Sequence, residues 1–479
     1  MSKYLPGIVF VTGSAVLIFQ VAGIRFFAPF FGSGLTTTSS IIGVMLGALA
    51  VGYRYGGRLS DKLKSYQGFF RLIVVSGLLS LFLFSVHTYL LPLFAYSLSA
   101  NVGVLLFSVT LFVAPSIFLG TISPYAVKLA SLDSSKDSLG GSVGDMFFWS
   151  TMGSIAGSLA TGFLLIPNFG VVQIMVSTSI ALVLLGFLGL IGVKARIRPV
   201  EVLLAVLLFL ISAIFIDSYF NRNSRYVFAK DGVYQRLAVL DTKIEGQGSV
   251  RVLFQDTNAS SGVDMTDPSR PVFDYAKKWE EPFIMGGGNI KRVLVVGAGA
   301  YTIPYYINQK YPEVVVDVVD IEPGLRSIAE NYFNLSFNEN VVSHIQDARR
   351  FLVSTEDGYY DYVFLDAFSD KLSVPPHLMT VEFFQLVKSK MSDNGFLMAN
   401  LIGSSNMDKN FLSIQFYTMT KVFVDGCLRQ TSDEQVRQNH IYTSYGYGNL
   451  AGCMPVLTSK GVSFKDNYSP VEWWLTFEE

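Results

Sequence analysis

Four acids stand where apolar runs of this chain end or just beyond. Asp320 closes "VVVDVVD", Asp347 closes "VVSHIQD", Asp366 closes "YYDYVFLD", and Asp370 follows in "AFSD". A carboxylate in such a place can accept hydrogen bonds from ribose hydroxyls, hold a cation, or take a proton as a general base. One acid at one strand end most often caps a helix or satisfies a turn. Three at successive strand ends, after Gly297 and Gly299 in "VLVVGAGAY", predict a ligand site, because open parallel sheets bind ligands beyond the carboxyl ends of their strands.

The elements that must position these acids are legible around them. "KRVLVVGAGAYTIPYYINQKYPEVVVDVVDIEPGLRSIAENYF" reads strand, Gly-rich turn, helix, strand, acidic turn, helix, a Rossmann-like opening. Gly297 and Gly299 permit a tight turn and close backbone approach to a ligand, and Asp320 stands at the end of the second strand, the place of a ribose-binding acid. The third glycine of the dinucleotide fingerprint is replaced by Thr302, which favours a methyltransferase-type nucleoside site over NAD. Upstream, residues 226–260 alternate apolar and polar around turn-forming Gly and Asp, as a small antiparallel β unit does. His377, between two prolines and an apolar helix start, reads as a loop or capping residue.

Composition divides the chain. Residues 1–220 hold 12 Lys+Arg and 6 Asp+Glu, the remainder 24 and 31, so a basic apolar half precedes an acidic half. The acidic balance argues against a nucleic-acid partner and suits small cations. A mean hydropathy of +0.42 with 15% charged residues is too apolar for a soluble globule. Seven segments approach the ~20 apolar residues of a membrane-crossing helix: about 5–31, 36–56, 69–88, 102–127, 143–166, 169–193 and 199–216. The stretch "VHTYLLPLFAYSLSA", 86–100, leaves their number open. Gly43, Gly47, Gly153 and Gly157 recur at helical spacing, where small residues let backbones approach. With no Cys/His cluster at metal-ligand spacing, no metal site is expected, and Cys427 and Cys453 are expected as two buried free thiols.

The expected architecture is a multi-span α-helical membrane domain (1–220) followed by a small β unit (221–285) and an α/β Rossmann-like methyltransferase-type domain (286–479). On these motifs the soluble half resembles the spermidine synthase family of polyamine aminopropyltransferases over roughly residues 222–430. The membrane half resembles the multi-span region fused to such domains. The resemblance implies that Gln235 in "VYQRLAV", the turn of Gly297 and Gly299, Asp320 for the ribose, Asp347 for the adenine amino group and its neighbour Ala348 bind the donor. It implies Asp366 as the catalytic aspartate, and Tyr275, Asp370 and Asn400 as substrate-binding residues. Two departures stand out: Ala300 replaces the acid that binds the donor's primary amine in the family, and Ala276 replaces the Gln or His that follows the tyrosine.

The resemblance implies decarboxylated S-adenosylmethionine as co-substrate, with no prosthetic group, and an amine or polyamine acceptor. The apolar runs imply a lipid bilayer around the spans, and a homodimer is the assembly to test. Ala300 keeps alive a methyl or aminocarboxypropyl transferase, or a cleaving enzyme, using intact S-adenosylmethionine. A polyamine transporter or sensor is the remaining alternative. The chain is expected to be a multi-pass protein of the cell (inner) membrane with its soluble half in the cytoplasm, where such donors are made. Lys and Arg after spans two, four and six, read by the positive-inside rule with seven spans, put that half outside instead.

Overall fold

The computed structural model describes residues 2–133, 139–244, 248–285, 289–367, 375–403, 411–431, 438–446, 452–454 and 462–471. The chain divides into two units, Met1–Arg225 and Tyr226–Glu479.

Among its described residues the first unit holds seven helices long and apolar enough to cross a membrane. They are α1 (Leu5–Phe31), α2 (Leu35–Leu63), α3 (Tyr66–Phe94), α4 (Ala100–Asp133), α5 (Leu139–Ala160), α6 (Val171–Gly192) and α7 (Pro199–Asn223). Residues 86–100 add no crossing: α3 runs through Phe94 and ends in a short 3-10 turn, Ala95–Ser97. Glycines set which helices touch. Gly153 and Gly157 lie against the backbone of Phe10 and Ser14 on α1, and Ser14 Oγ donates to the Gly153 carbonyl at 2.8 Å. Gly43 and Gly47 do not serve this role, for no described residue of another helix comes within 4 Å of a Cβ placed on them; on α2 it is Gly52 and Gly56 that meet Gly120 and Thr121 of α4.

The second unit begins with a four-stranded antiparallel sheet, in order, of β1 (Phe228–Asp231), β2 (Arg236–Lys243), β3 (Ser249–Gln255) and β4 (Asn258–Asp264). A seven-stranded sheet follows in the order β10-β11-β9-β8-β5-β6-β7. Its strands are β5 (Arg292–Val296), β6 (Val315–Asp320), β7 (Val341–Ile345), β8 (Tyr360–Leu365), β9 (Met391–Gly403), β10 (Gly426–Gln430) and β11 (Gln438–Gly446). The strands from β9 to β7 pair parallel, while β10 and β11 pair antiparallel.

Parallel strands are covered on both faces and so read as continuous apolar runs. In β5, Leu294 and Val296 enter one core with Phe351, Phe383 and Phe384, while Val293 and Val295 enter the other with Tyr306, Ile307 and Ile328. The helices between strands are α8 (Thr302–Lys310), α9 (Leu325–Phe333), α10 (Ala348–Ser354), α11 (Val381–Lys390) and α12 (Phe411–Thr420). From β5 the chain moves out through β6 to β7, then returns to place β8 on the other side of β5. This reversal opens a crevice at the carboxyl end of β5.

One expectation is overturned. Cys427 and Cys453 are not free thiols but form a disulfide. Cys427 lies on β10, the edge strand, and Met454 donates its backbone N–H to the Leu428 carbonyl at 2.8 Å, so the bridge pins a covering segment to the sheet edge. Sequence separation alone cannot show this, because the two residues become neighbours only when that segment folds back.

Candidate active site

The glycine turn is built by contact. Gly297 has φ +92° and Gly299 φ +48°, left-handed values that cost a Cβ-bearing residue energy. A Cβ on Gly297 would enter the Asp366 carbonyl, and one on Gly299 would enter Ser261 Oγ. The turn therefore lies directly against the end of β8. Gly297 donates to the Val319 carbonyl at 2.9 Å and Asp366 donates to the Val296 carbonyl at 2.7 Å, so the three strand ends are stitched together.

Asp320 ends β6 beside the turn. Its Oδ2 accepts from Ala298 N–H and its Oδ1 from Glu322 N–H, both at 2.8 Å. Burial raises its pKa above the ordinary carboxylate value against these two hydrogen bonds. A further bond from Ile321 N–H leaves one of the carboxylate's roughly four lone-pair sites free, which suits a ribose hydroxyl.

Asp366 follows β8. Asn400 on β9 donates Nδ2–H to its Oδ1 at 2.8 Å, and the Tyr275 hydroxyl bonds its carboxyl. Asp366 is part-exposed as a residue, but Tyr275 and Asn400 are each 3% exposed, so its carboxyl end faces inward. Burial pushes its pKa up to about 7; the bonds from Asn400 and Tyr275 oppose this, and repulsion from Asp320 adds to it. The Tyr275 hydroxyl also donates to the Ser260 carbonyl at 2.9 Å. A phenol has one proton, so when Ser260 receives it Asp366 must carry its own proton to bond Tyr275. This arrangement stores or releases one proton near neutrality.

Asp347 sits at the end of β7, on the same carboxyl edge. It caps α10, accepting from Arg350 N–H at 2.9 Å, and its Oδ2 pairs with His377 Nε2 at 2.7 Å. Burial raises its pKa, but the bonds from Arg350 and His377 outweigh this and hold the carboxyl below its ordinary value. Ala348, the first residue of α10, is buried in the core. Gln235 enters through its backbone, whose N–H donates to Glu322 Oε2 at 3.2 Å. Asp370 lies outside the described residues.

The structure thus gathers Gly297, Gly299, Asp320, Asp366, Tyr275 and Asn400 into one constellation. Asp347 lies at the neighbouring strand end and is committed to a helix cap and to His377. Two residues escaped the sequence reading. Glu322, 2% exposed, accepts backbone N–H bonds from Val233, Tyr234 and Gln235 and so ties the β-unit loop to the end of β6; its signal was a second acid in "DIEP". Ser261 on β4 accepts from Ala300 N–H at 3.0 Å and also bonds Tyr275; nothing in its local pattern marks it.

The sheet order, with acids at its carboxyl edge, defines a Rossmann-like methyltransferase-type fold. Residues 325–418 match the family described as S-adenosyl-L-methionine-dependent methyltransferase. A polyamine aminopropyltransferase of Vibrio vulnificus is 35% identical over 119 residues, 24% of this chain and 40% of that protein. Polyamine aminopropyltransferase 2 of Streptomyces coelicolor is 24% identical over 413 residues, covering 81% of this chain and 72% of that one. That span exceeds the C-terminal unit and takes in part of the helical unit. A probable spermidine synthase from Corynebacterium glutamicum, a solved structure, is 20% identical with a TM-score of 0.40, over 45% of this chain and 78% of that one. The chain matches less than half the length of the Vibrio relative. Over these regions the chain is similar to polyamine aminopropyltransferases.

Proposed function

We propose that the C-terminal unit is an aminopropyltransferase, moving the aminopropyl group of decarboxylated S-adenosylmethionine to an amine, with the seven apolar helices holding it to a membrane. The observation that carries this reading is the Asp366 carboxyl, poised at about 7 between Tyr275 and Asn400, beside the turn of Gly297. A polyamine has amino groups with pKa values near that of Lys, ~10.4, and must lose a proton to attack. In the transfer the amine nitrogen forms a bond to the methylene carbon next to the sulfonium. The carbon–sulfur bond breaks, its electron pair returns to sulfur, and neutral methylthioadenosine leaves. The proton released from the attacking nitrogen goes to Asp366, a general-base contribution of about 10² to 10⁴-fold. Asp320 takes a ribose hydroxyl, the Gly297–Gly299 turn lets the donor approach, and Asp347, besides its bonds to Arg350 and His377, takes the adenine amino group on a remaining lone pair. Tyr275, Asn400 and Asp370 hold the amine chain. Alignment of nucleophile and carbon supplies about 7 to 11 kcal/mol more.

A second reading rests on Ala300, which is fully buried with its N–H on Ser261 and offers no acid to an ammonium group. It is transfer of a methyl or aminocarboxypropyl group from intact S-adenosylmethionine. Incubating the full chain with each labelled donor and a panel of diamines and polyamines separates the readings by product mass. Aminopropylated amine from the decarboxylated donor alone supports the first; a product formed only from the intact donor overturns it.

A further inference from the structure

The ends of the seven helices sort into two faces. Lys128 pairs with Asp61 at 2.8 Å, joining the end of α4 to the end of α2. Arg71 at the start of α3 pairs with Glu201 at 3.3 Å and donates to the Arg196 carbonyl at 3.1 Å, joining the α2–α3 region to the start of α7. The basic segments after α2, α4 and α6 therefore share one face, which holds Arg58, Lys62, Lys64, Lys194 and Arg198 besides the residues just named. At the other end of α3 and α7, Arg222 donates to the Thr88 carbonyl at 3.1 Å; Arg222 and Arg225 are the basic residues where the chain leaves α7. Lys and Arg in short loops are retained on the cytoplasmic side. A chain that enters α7 from the basic face leaves it on the opposite side.

The disulfide between Cys427 and Cys453 points the same way on unrelated chemistry. Structural disulfides persist in oxidising compartments and are rare where glutathione and thioredoxin keep thiols reduced. These are the chain's only two cysteines, and they are joined at a sheet edge, outside the constellation of Asp366, Asp320 and Tyr275.

We infer that the C-terminal unit works on the oxidising, non-cytoplasmic side of the membrane. Resting on the aminopropyl-transfer reading, this adds a place in a reaction sequence. A sulfonium nucleoside made in the cytoplasm reaches this site only after a transport step across the bilayer, and the acceptor is an amine present on the far side.

The test needs no turnover, so its outcome is independent of whether the site transfers aminopropyl groups. In the Cys427→Ala, Cys453→Ala background, the full chain is expressed with one reporter, either Val353→Cys on α10, an exposed position, or Lys62→Cys on the basic face. Intact cells, any outer membrane opened, are treated with a membrane-impermeant maleimide before and after lysis of the inner membrane. Labelling of the Val353→Cys chain in intact cells, and of the Lys62→Cys chain only after lysis, is expected; the reverse pattern overturns the inference. In the unsubstituted chain, trapped in acid from whole cells, both thiols are expected to react only after reduction. Reaction without reductant overturns it as well.

Discussion

Asn400 gives its amide Nδ2–H to Asp366 Oδ1 at 2.8 Å while its own carbonyl oxygen, buried, has no partner among the described residues. A buried polar atom left unpaired costs about 1 to 3 kcal/mol, so a group that donates to Asn400 Oδ1 gains by binding there. An ammonium or amine beside Asp366 fits.

The first prediction concerns Asp366 itself. Asp366→Asn is expected to lower kcat by about 10² to 10⁴-fold while leaving donor binding within a few-fold, measured by calorimetry with methylthioadenosine. Full activity in this variant removes the catalytic assignment.

The pH profile follows from the same carboxyl. A base is competent when ionised, so kcat/KM of the unsubstituted enzyme is expected to fall as pH drops through about 7. Asn400→Ala removes a bond that favours the ionised form, so the limb is expected to move to higher pH and activity at pH 7 to drop by roughly tenfold. A limb that stays in place means the profile reports another group.

Stability has the opposite slope. The folded pKa of Asp366 is raised from 3.8 to about 7, so between these values the folded state binds more protons than the unfolded one. Stability from this group is complete below about 4 and declines as pH rises to about 7. Asp366→Asn is expected to remove that decline, read as a gain in Tm that is larger at pH 7.5 than at pH 5.

Glu322→Ala leaves three part-buried backbone donors, of Val233, Tyr234 and Gln235, without their acceptor. A loss of about 1 to 3 kcal/mol is expected in denaturant unfolding, with weakened donor binding. Glu322→Gln, which retains an acceptor oxygen, is expected to recover part of both; equal losses in the two variants place the effect in packing instead.

The disulfide closes a loop of 26 residues, for which loss of denatured-chain entropy corresponds to about 3.5 kcal/mol. Cys427→Ser with Cys453→Ser is expected to cost about 2 to 4 kcal/mol in unfolding of the C-terminal unit, leaving the pH profile unchanged. An unaltered midpoint shows that the covering segment needs no staple.

Patterns of local period were enough for much of this protein. Seven apolar runs of spanning length, the continuous β-strands "VLVV" and "VFL", and the glycine turn with an acid after each strand are decided by neighbours in sequence, because a helix or strand buries what its own periodicity presents. Contacts between distant segments were not so encoded. The choice of Gly52 over Gly47 as a helix contact, the pairing of Asp347 with His377, the hold of Glu322 on the β-unit loop and of Ser261 on the glycine turn, and the joining of Cys427 to Cys453 each depend on two surfaces meeting. Burial of the Asp366 carboxyl among Tyr275 and Asn400 is of the same kind: a sequence places a carboxylate, but its proton affinity is set by the water and charge that the finished fold removes or brings near it.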